Sequence, residues 1–349
     1  MFKEIDNING KLVLSFGECS YQEVLDDFKN SNSIQIVTFN MDSDPYLKEK
    51  LDELNPEVEL NLVSNIPNRY ARYYYGWANQ KAKKTIDTYF DIVNPENFDA
   101  KTSAHFNFKN HAKIIATDNI AYIGSANFTG GSRENFECGI IIKDKDVIQQ
   151  IREEFIGEIT DHSIRFYGTR LSSEKILVFK VLQQMNYIYE ILHEQIYNQW
   201  DAPGGRKIEY VDGEYVDIDL LISLEEVLLD VKDLYKDIEY LNEVIDINIV
   251  QNIFKLLNKD GNVKRLAIFV NDKNSIFELI HNHPQSHDLD IAVEDAMNER
   301  NEMHNDLVWA AKDELALLDQ EVLTLKSFIE ECYNKVLSME KDQSVIDNT

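Results

Sequence analysis

Cysteine is scarce. Three residues, Cys19, Cys138 and Cys332, are spread over 349 positions with no CxxC pair. Such spacing excludes a disulfide framework and a cysteine-based zinc site, and it fits a reducing compartment. Long apolar runs are missing too: no uninterrupted stretch approaches the length of a membrane span. The first residues, MFKEIDNINGKLVL, lack the basic segment and apolar core of a secretory leader. A cytoplasmic protein without a membrane span is expected. Positive charge is also short, with 35 Lys and Arg against 62 Asp and Glu and a net charge of -27. The deficit is uneven, at -7 over residues 1–170 and -20 over 171–349. The second half should therefore repel nucleic acid and anionic membrane, while the first is closer to neutral.

With 44% hydrophobic and 11% aromatic residues, the chain is globular, and its length suits two domains. Over 1–170, strand and helix patterns alternate. KLVLSF (11–16) and IQIVTFN (34–40) read as buried strands, VELNLVS (58–64) as a third, and YQEVLDDFKN and PYLKEKLDEL as helices. A helix is expected over much of 69–91 and another from 146 to about 160. The short strands AKIIATD, IAYIGSA and FECGIIIK lie between them. This alternation predicts an α/β domain with a sheet between helices. From about residue 171 the pattern becomes heptad-like. Val178, Leu182, Met185, Tyr189, Leu192 and Ile196 form one stripe, Leu224, Leu228, Val231, Tyr235 and Ile238 a second, and Ala311 through Val336 a third. An all-α domain over 171–349 is expected, as an internal bundle or as helices pairing between subunits. A small hairpin near 208–218 is expected around Asp212-Gly213.

Within the first half, two stretches contain no carboxylate. Residues 60–86 hold Arg69, Arg72, Lys81, Lys83 and Lys84 among Tyr70, Tyr73, Tyr74, Tyr75 and Trp77; residues 100–117 hold Lys101, Lys109, His111 and Lys113. Basic and aromatic residues together suit a single strand of nucleic acid, with charge on the backbone and rings on the bases. A solvated helix with inward tyrosines explains the first stretch equally well. The stretch NHAKIIATDNIAYIGSANFTGG (110–131) reads as strand, turn, strand. His111 and Lys113 are two apart, as are Ser125 and Asn127 after Gly124, so each pair would share a face. Lysine, hydroxyl and amide suit phosphate oxygens, and a neutral imidazole is a competent nucleophile at phosphorus. No nearby carboxylate cluster offers a magnesium site, so no metal or other cofactor is expected. HNHPQSHD (281–288) could ligate a metal through its histidines, but a polar loop stiffened by Pro284 is the better reading.

His111-x-Lys113-x4-Asp118, then Gly124-Ser125-x-Asn127 and Glu137, resembles the HKD signature of the phospholipase D superfamily. The resemblance is close over these strands, holds only in outline over 1–100, and does not reach 171–349. It implies a phospholipase D-like mixed sheet between helices, followed here by the all-α domain. His111 would be the nucleophile, forming a phosphohistidine. Lys113 and Asn127 would hold phosphate oxygens with help from Ser125, and Glu137 would orient an imidazole. Asp118 would fix the turn or pair with a base rather than react. No second HxKxxxxD exists; single-motif members of the superfamily dimerise, so an obligate homodimer with one composite site is implied. The basic residues Arg69, Arg72, Lys81, Lys84 and Lys109 point to nucleic acid as substrate. His105 stands between a substrate contact and a satisfied loop histidine. A metal-independent nuclease, DNA or RNA, is therefore expected, with residues 171–349 regulating, dimerising or recruiting a protein partner. Similar nucleases suggest a place in bacterial phage defence. The alternatives are a phospholipase or phosphatidyl transferase and a silent phosphate-binding scaffold.

Overall fold

The computed structural model describes residues 2–6, 8–65, 88–202, 206–212, 215–272, 275–284 and 288–346. The chain divides into two compact units, Met1–Ile176 and Leu177–Thr349.

The first unit is built on one mixed eight-stranded sheet in the order β1-β7-β6-β5-β2-β3-β4-β8. Its strands are β1 (Gly10–Ser15), β2 (Ser33–Thr38), β3 (Glu59–Ser64), β4 (Lys101–Phe106), β5 (Ile114–Ala116), β6 (Ala121–Gly124), β7 (Glu137–Ile142) and β8 (Ile164–Phe166). β2, β3 and β4 run parallel, and every other pairing is antiparallel. The parallel strands explain the unbroken apolar runs in the sequence, since such strands are covered on both faces. Ile34, Ile36 and Val37 of β2 are all buried. The crossover from β2 to β3 uses the helix Pro45–Asp52, which starts where Asp44 accepts the amide of Leu47 at 3.1 Å and proline takes the first turn. A second helical run follows β7: Lys145–Gln150, a π-helical segment Ile151–Ile156, then Gly157–Asp161. Its Val147, Ile148, Ile151 and Ile156 pack on Val37, Val63, Ile114 and Ile142 of the sheet.

One expectation changes here. KLVLSF is a strand but not a buried one: β1 is an edge strand, and Leu12 and Leu14 are 83% and 74% exposed. β4 and β8 were not visible in the hydrophobic pattern. Of the helix expected over 69–91, residues 88–93 are helical, and 66–87 lie outside the described residues.

The second unit is helical, with a core from Val178, Leu182, Met185, Leu192 and Ile196, from Leu224, Leu228 and Val231, and from Leu315, Leu318, Val322, Leu325, Ile329 and Cys332. Those are the three heptad stripes. Its long helices are Arg170–Ile196, which begins in the first unit, Ile218–Asp237 and Leu289–Ile346, with shorter ones at Ile247–Leu256, Asn262–Asn271 and Ser275–Asn282. The second stripe leaves the α-helix at Ile238, yet Ile238, Leu241 and Ile245 stay buried through a 3-10 turn at Glu239–Glu243. The hairpin is displaced from 208–218: β9 (Tyr197–Ala202) pairs with β10 (Arg206–Val211). Residues after 214 are committed elsewhere, because Val216 is buried in the helical core and Asp217 caps the next helix by accepting the amide of Asp219. Among the described residues, no helix is long and apolar enough to cross a membrane.

Candidate active site

Antiparallel pairing of β5 against β2 brings the start of β5 to the end of β2, with Val37 opposite Ile114. His111 and Lys113 therefore come to lie beside Thr38, Phe39 and Asn40. Neither is inside a strand; both precede β5 and are held by a relay of buried amides. Asn110 donates to the carbonyl of Thr38 at 2.9 Å and accepts the amide of Ala112 at 2.9 Å. Asn65, at the end of β3, donates to the carbonyl of Asn110 at 2.9 Å. Asn65 and Asn110 are only 4% and 6% exposed, so this relay fixes the loop where water cannot compete for its bonds.

The His111 ring is exposed and lies against Phe39, with ring centroids 4.8 Å apart. Lys113 is buried. Its Nζ donates to the His111 carbonyl at 2.7 Å and stands 3.3 Å from His111 Nδ1. An ammonium can only donate, so Nδ1 accepts in this contact and the ring proton of the neutral imidazole sits on Nε2. Burial holds the Lys113 pKa below the ordinary lysine value, and the charge of Glu137 opposes that shift.

Ser125 and Asn127 follow the end of β6. The Ser125 hydroxyl donates to Glu137 Oε2 and accepts the amide of Cys138 at 3.0 Å, which ties the turn to the start of β7. Asn127 Oδ1 accepts the Asn40 amide at 3.2 Å, so its NH2 is the end left to donate. The Asn127 carbonyl takes bonds from Tyr21 at 3.1 Å and Ser132 at 3.0 Å. Beneath the turn lies Tyr122, whose hydroxyl accepts the amide of Ala126 at 3.3 Å and donates to the carbonyl of Cys138 at 3.3 Å. Its ring occupies space that a Cβ at Gly124 or Gly139 would need. Those two glycines let the ring lie flat across the strands.

His111, Lys113, Ser125, Asn127 and Glu137 thus gather at one end of the sheet, linked through Phe39-Asn40 and through Glu137. The donors the cluster offers beside the exposed imidazole are the Lys113 ammonium and the Asn127 NH2, groups suited to the oxygens of an anionic tetrahedral group. Among the described residues, no group of three or more His, Cys, Asp or Glu stands together as a metal site.

Asp118 is not in this cluster. It sits past the other end of β5, where Oδ2 accepts the amides of Asn32 at 2.8 Å and Ser33 at 3.1 Å and Oδ1 pairs with Arg152 at 2.6 Å. His105 lies on β4, separated from β5 by two strands, with Nδ1 3.1 Å from Asn61 Oδ1. Burial, with help from the charge of Arg165, pushes its pKa down to about 4. Lys109 is exposed in the turn before His111, its amide bonded to Asn107. Arg69, Arg72, Lys81 and Lys84 lie outside the described residues. In the second unit, His283 pairs with Asp295 at 3.1 Å. Phe39, Asn40, Asn65, Asn110 and Tyr122 were not anticipated from sequence. Only the asparagine next to His111 carried a local hint, as a polar residue at the mouth of an apolar strand.

A family model described as cardiolipin synthase, PLD-like domain, matches residues 24–159, which take in the whole cluster. Among solved structures the chain is similar to Nuc, a phospholipase D family member from Salmonella typhimurium, at 14% identity and TM-score 0.33 over 45% of this chain and 99% of that one. It is similar also to NucT from Helicobacter pylori, at 11% identity and TM-score 0.33 over 45% and 100%. A third is phosphatidylserine synthase from Haemophilus influenzae Rd KW20, at 12% identity and TM-score 0.36 over 45% and 40%. Likenesses this distant do not bear on substrate. No curated protein matches the chain.

Proposed function

We propose, on the match of residues 24–159 to a PLD-like domain, that the chain is a metal-independent nuclease of the phospholipase D superfamily, working through a phosphohistidine at a site shared by two copies. The observation that carries the reading is the exposed His111 ring, pinned by Phe39 and Lys113 beside the fixed amide of Asn127. A phosphodiester entering there would draw the Lys113 ammonium and the Asn127 NH2 onto its non-bridging oxygens. Lys113 then leaves Nδ1, the ring proton can move to that nitrogen, and Nε2 becomes the nucleophile. Nε2 attacks phosphorus, a P–N bond forms and the P–O bond to the leaving oxygen breaks. The His111 imidazolium of the second copy gives that oxygen its proton. The same imidazole next takes a proton from water, whose oxygen attacks phosphorus and releases His111. Glu137, anchored by Ser125, keeps positive charge favourable around the imidazoles.

Nucleic acid is favoured as substrate by the basic, aromatic, carboxylate-free sequence over 60–86 and by Lys109 beside the motif. The lipid reading, phosphatidyl transfer, draws support from the family description itself, which names a cardiolipin synthase. Labelled DNA, RNA and phospholipid vesicles, each incubated in EDTA with wild type and with His111→Ala, separate the two. Cleavage of nucleic acid by wild type alone supports the nuclease; release from vesicles alone replaces it with the lipid reading. Protein denatured under alkaline conditions, where a phosphoramidate survives, should carry label on His111. The cytoplasmic location, a protein partner for residues 171–349 and a role in phage defence belong to the same proposal. A fall in phage plating efficiency that depends on His111 tests the last.

A further inference from the structure

Ser15 ends β1 directly across from Glu137, the first residue of β7. Residues paired in this way project from the same face, with Cβ atoms about 4.5–5.5 Å apart. The Ser15 hydroxyl oxygen is buried and has no hydrogen-bond partner among the described residues. Its backbone is held, since the Gly17 amide two residues on donates to the carbonyl of Arg133 at 2.8 Å. A buried hydroxyl without a partner is a cost that folded chains rarely keep. Glu137 is 7% exposed, and among the described residues its carboxylate takes one donor, Ser125, at Oε2. A carboxylate has room for about four. An unused donor and an under-used acceptor therefore stand across a single strand pair.

Ser125 lies on the other side of Glu137. In the sheet order β1-β7-β6-β5, Ser15 is at the outer edge, whereas Ser125 follows β6, toward Lys113 before β5. The Ser125 proton is committed to Glu137, so Ser125 has none to offer a phosphate. The carboxylate it holds is near enough to Lys113 for its charge to act on the ammonium.

We propose that Ser15 is a positioning residue that takes Glu137 over from Ser125 when an anionic tetrahedral group enters. The inference rests on the phosphate-site reading above and deepens it by naming what releases a third donor. A turn about the Ser15 Cα–Cβ bond, from one staggered position to another, aims the hydroxyl at the carboxylate. The carboxylate swings toward β1 and away from Lys113. The Ser125 hydroxyl then donates to a non-bridging oxygen, beside the Lys113 ammonium and the Asn127 NH2. The count of bonds favours the exchange: Glu137 keeps a donor, the ligand gains one, and the buried Ser15 hydroxyl is satisfied. Charge favours it too, because a carboxylate drawn to the sheet edge competes less with the anion for Lys113.

Inorganic phosphate is the probe, titrated calorimetrically into wild type, Ser15→Ala, Ser15→Thr, Ser125→Ala and the Ser15→Ala/Ser125→Ala double variant. Ser15→Ala removes a hydroxyl that has no partner, so its urea midpoint should hold or rise. Its phosphate dissociation constant should nevertheless rise about tenfold, and Ser15→Thr, which keeps the hydroxyl, should stay within about threefold of wild type. In the Ser125→Ala background there is nothing to exchange, and adding Ser15→Ala should change binding by less than about twofold. With bis-p-nitrophenyl phosphate as substrate, the same pattern should appear in kcat/KM. Ser15→Ala that binds phosphate as wild type does, or an equal loss in both backgrounds, overturns the role of Ser15 and leaves the phosphate site standing. Wild type that binds no phosphate overturns the site, and the exchange with it. Phosphate binding that follows the Ser15 pattern without hydrolysis of any phosphodiester overturns the nuclease reading and supports the exchange.

Discussion

Replacing Asp118 by alanine should damage the scaffold and spare the chemistry, although the residue belongs to the same sequence motif as His111 and Lys113. The substitution deletes three contacts: the amides of Asn32 and Ser33, at 2.8 and 3.1 Å, and the Arg152 guanidinium at 2.6 Å. At about 1.5–3 kcal/mol for each bond to a charged group the raw loss would exceed 4 kcal/mol. The Asp118 and Arg152 side chains are 31% and 22% exposed, so water recovers part of it, and about 2–4 kcal/mol is expected. Arg152 adds to the cost, because its Nε already lacks a partner and only its bond to Ser33 Oγ at 2.6 Å would remain. Asp118→Asn keeps an acceptor for the two amides and should lose about half as much. Hydrogen exchange over residues 30–38 reads the effect where it originates: amide protection there should fall by about 30-fold or more in the alanine variant. Turnover per folded molecule should stay within about threefold of wild type. Unchanged protection with turnover down tenfold or more would refute the assignment and put Asp118 in the reaction.

Acid should destabilise the first unit through His105, whose folded pKa of about 4 lies below the usual 6.5. Between those values the unfolded chain binds a proton that the folded chain refuses, so stability falls as pH drops from 6.5 to 4 and levels off below. The full shift corresponds to about 3 kcal/mol, and partial exposure brings it to about 2; urea midpoints of His105→Gln should lose this slope. Tyr122→Phe removes the hydroxyl joining Ala126 to Cys138 and should cost about 1–2 kcal/mol, read as a lower urea midpoint, with a rise in KM as the Ser125–Asn127 turn loosens. Gly124→Ala should be worse, because its Cβ would overlap the Tyr122 hydroxyl and the Cys138 carbonyl, neither of which can yield. Glu137→Gln withdraws the charge that opposes the downward shift at Lys113. The Lys113 pKa should fall further, and the alkaline limb of kcat/KM should move to lower pH; an unmoved limb would separate that titration from Lys113.

The residues that gather at the candidate site were legible because they are close in sequence: a histidine and a lysine two apart, then a serine and an asparagine two apart after a glycine. The residues that hold them were not. Phe39 and Asn40 reach His111 and Asn127 only through the antiparallel register of β2 on β5, and no local pattern says which strands will be neighbours. β4 escaped for a different reason. Its face beside Asn61 carries Ser103 and His105, both bonded to that asparagine, so the strand lacks the apolar alternation that would announce it. β1 misled in the opposite sense: LVL looks like core, yet β1 is an edge strand whose Leu12 and Leu14 are exposed. The heptad stripes of the second unit were readable because a helix repeats its buried face every turn, whatever its partner.

The motif also folds two jobs into one string. β5 is three residues long, about 10 Å at 3.3 Å per residue, and the motif overhangs it at both ends. His111 and Lys113 fall at the end where the β2–β3 crossover departs, and Asp118 falls at the end where the Asn32–Ser33 backbone and Arg152 need an acceptor. A spacing of four between lysine and aspartate is therefore a statement of strand length. It places the acid where it secures β5 to the start of β2, and that attachment holds Phe39 and Asn40 in register with the imidazole. Insertion of one residue within Ile114–Ala116 should accordingly abolish the site while keeping every motif residue type, because a one-residue slip of β5 on β2 would carry His111 and Lys113 out of register with Phe39 and Asn40.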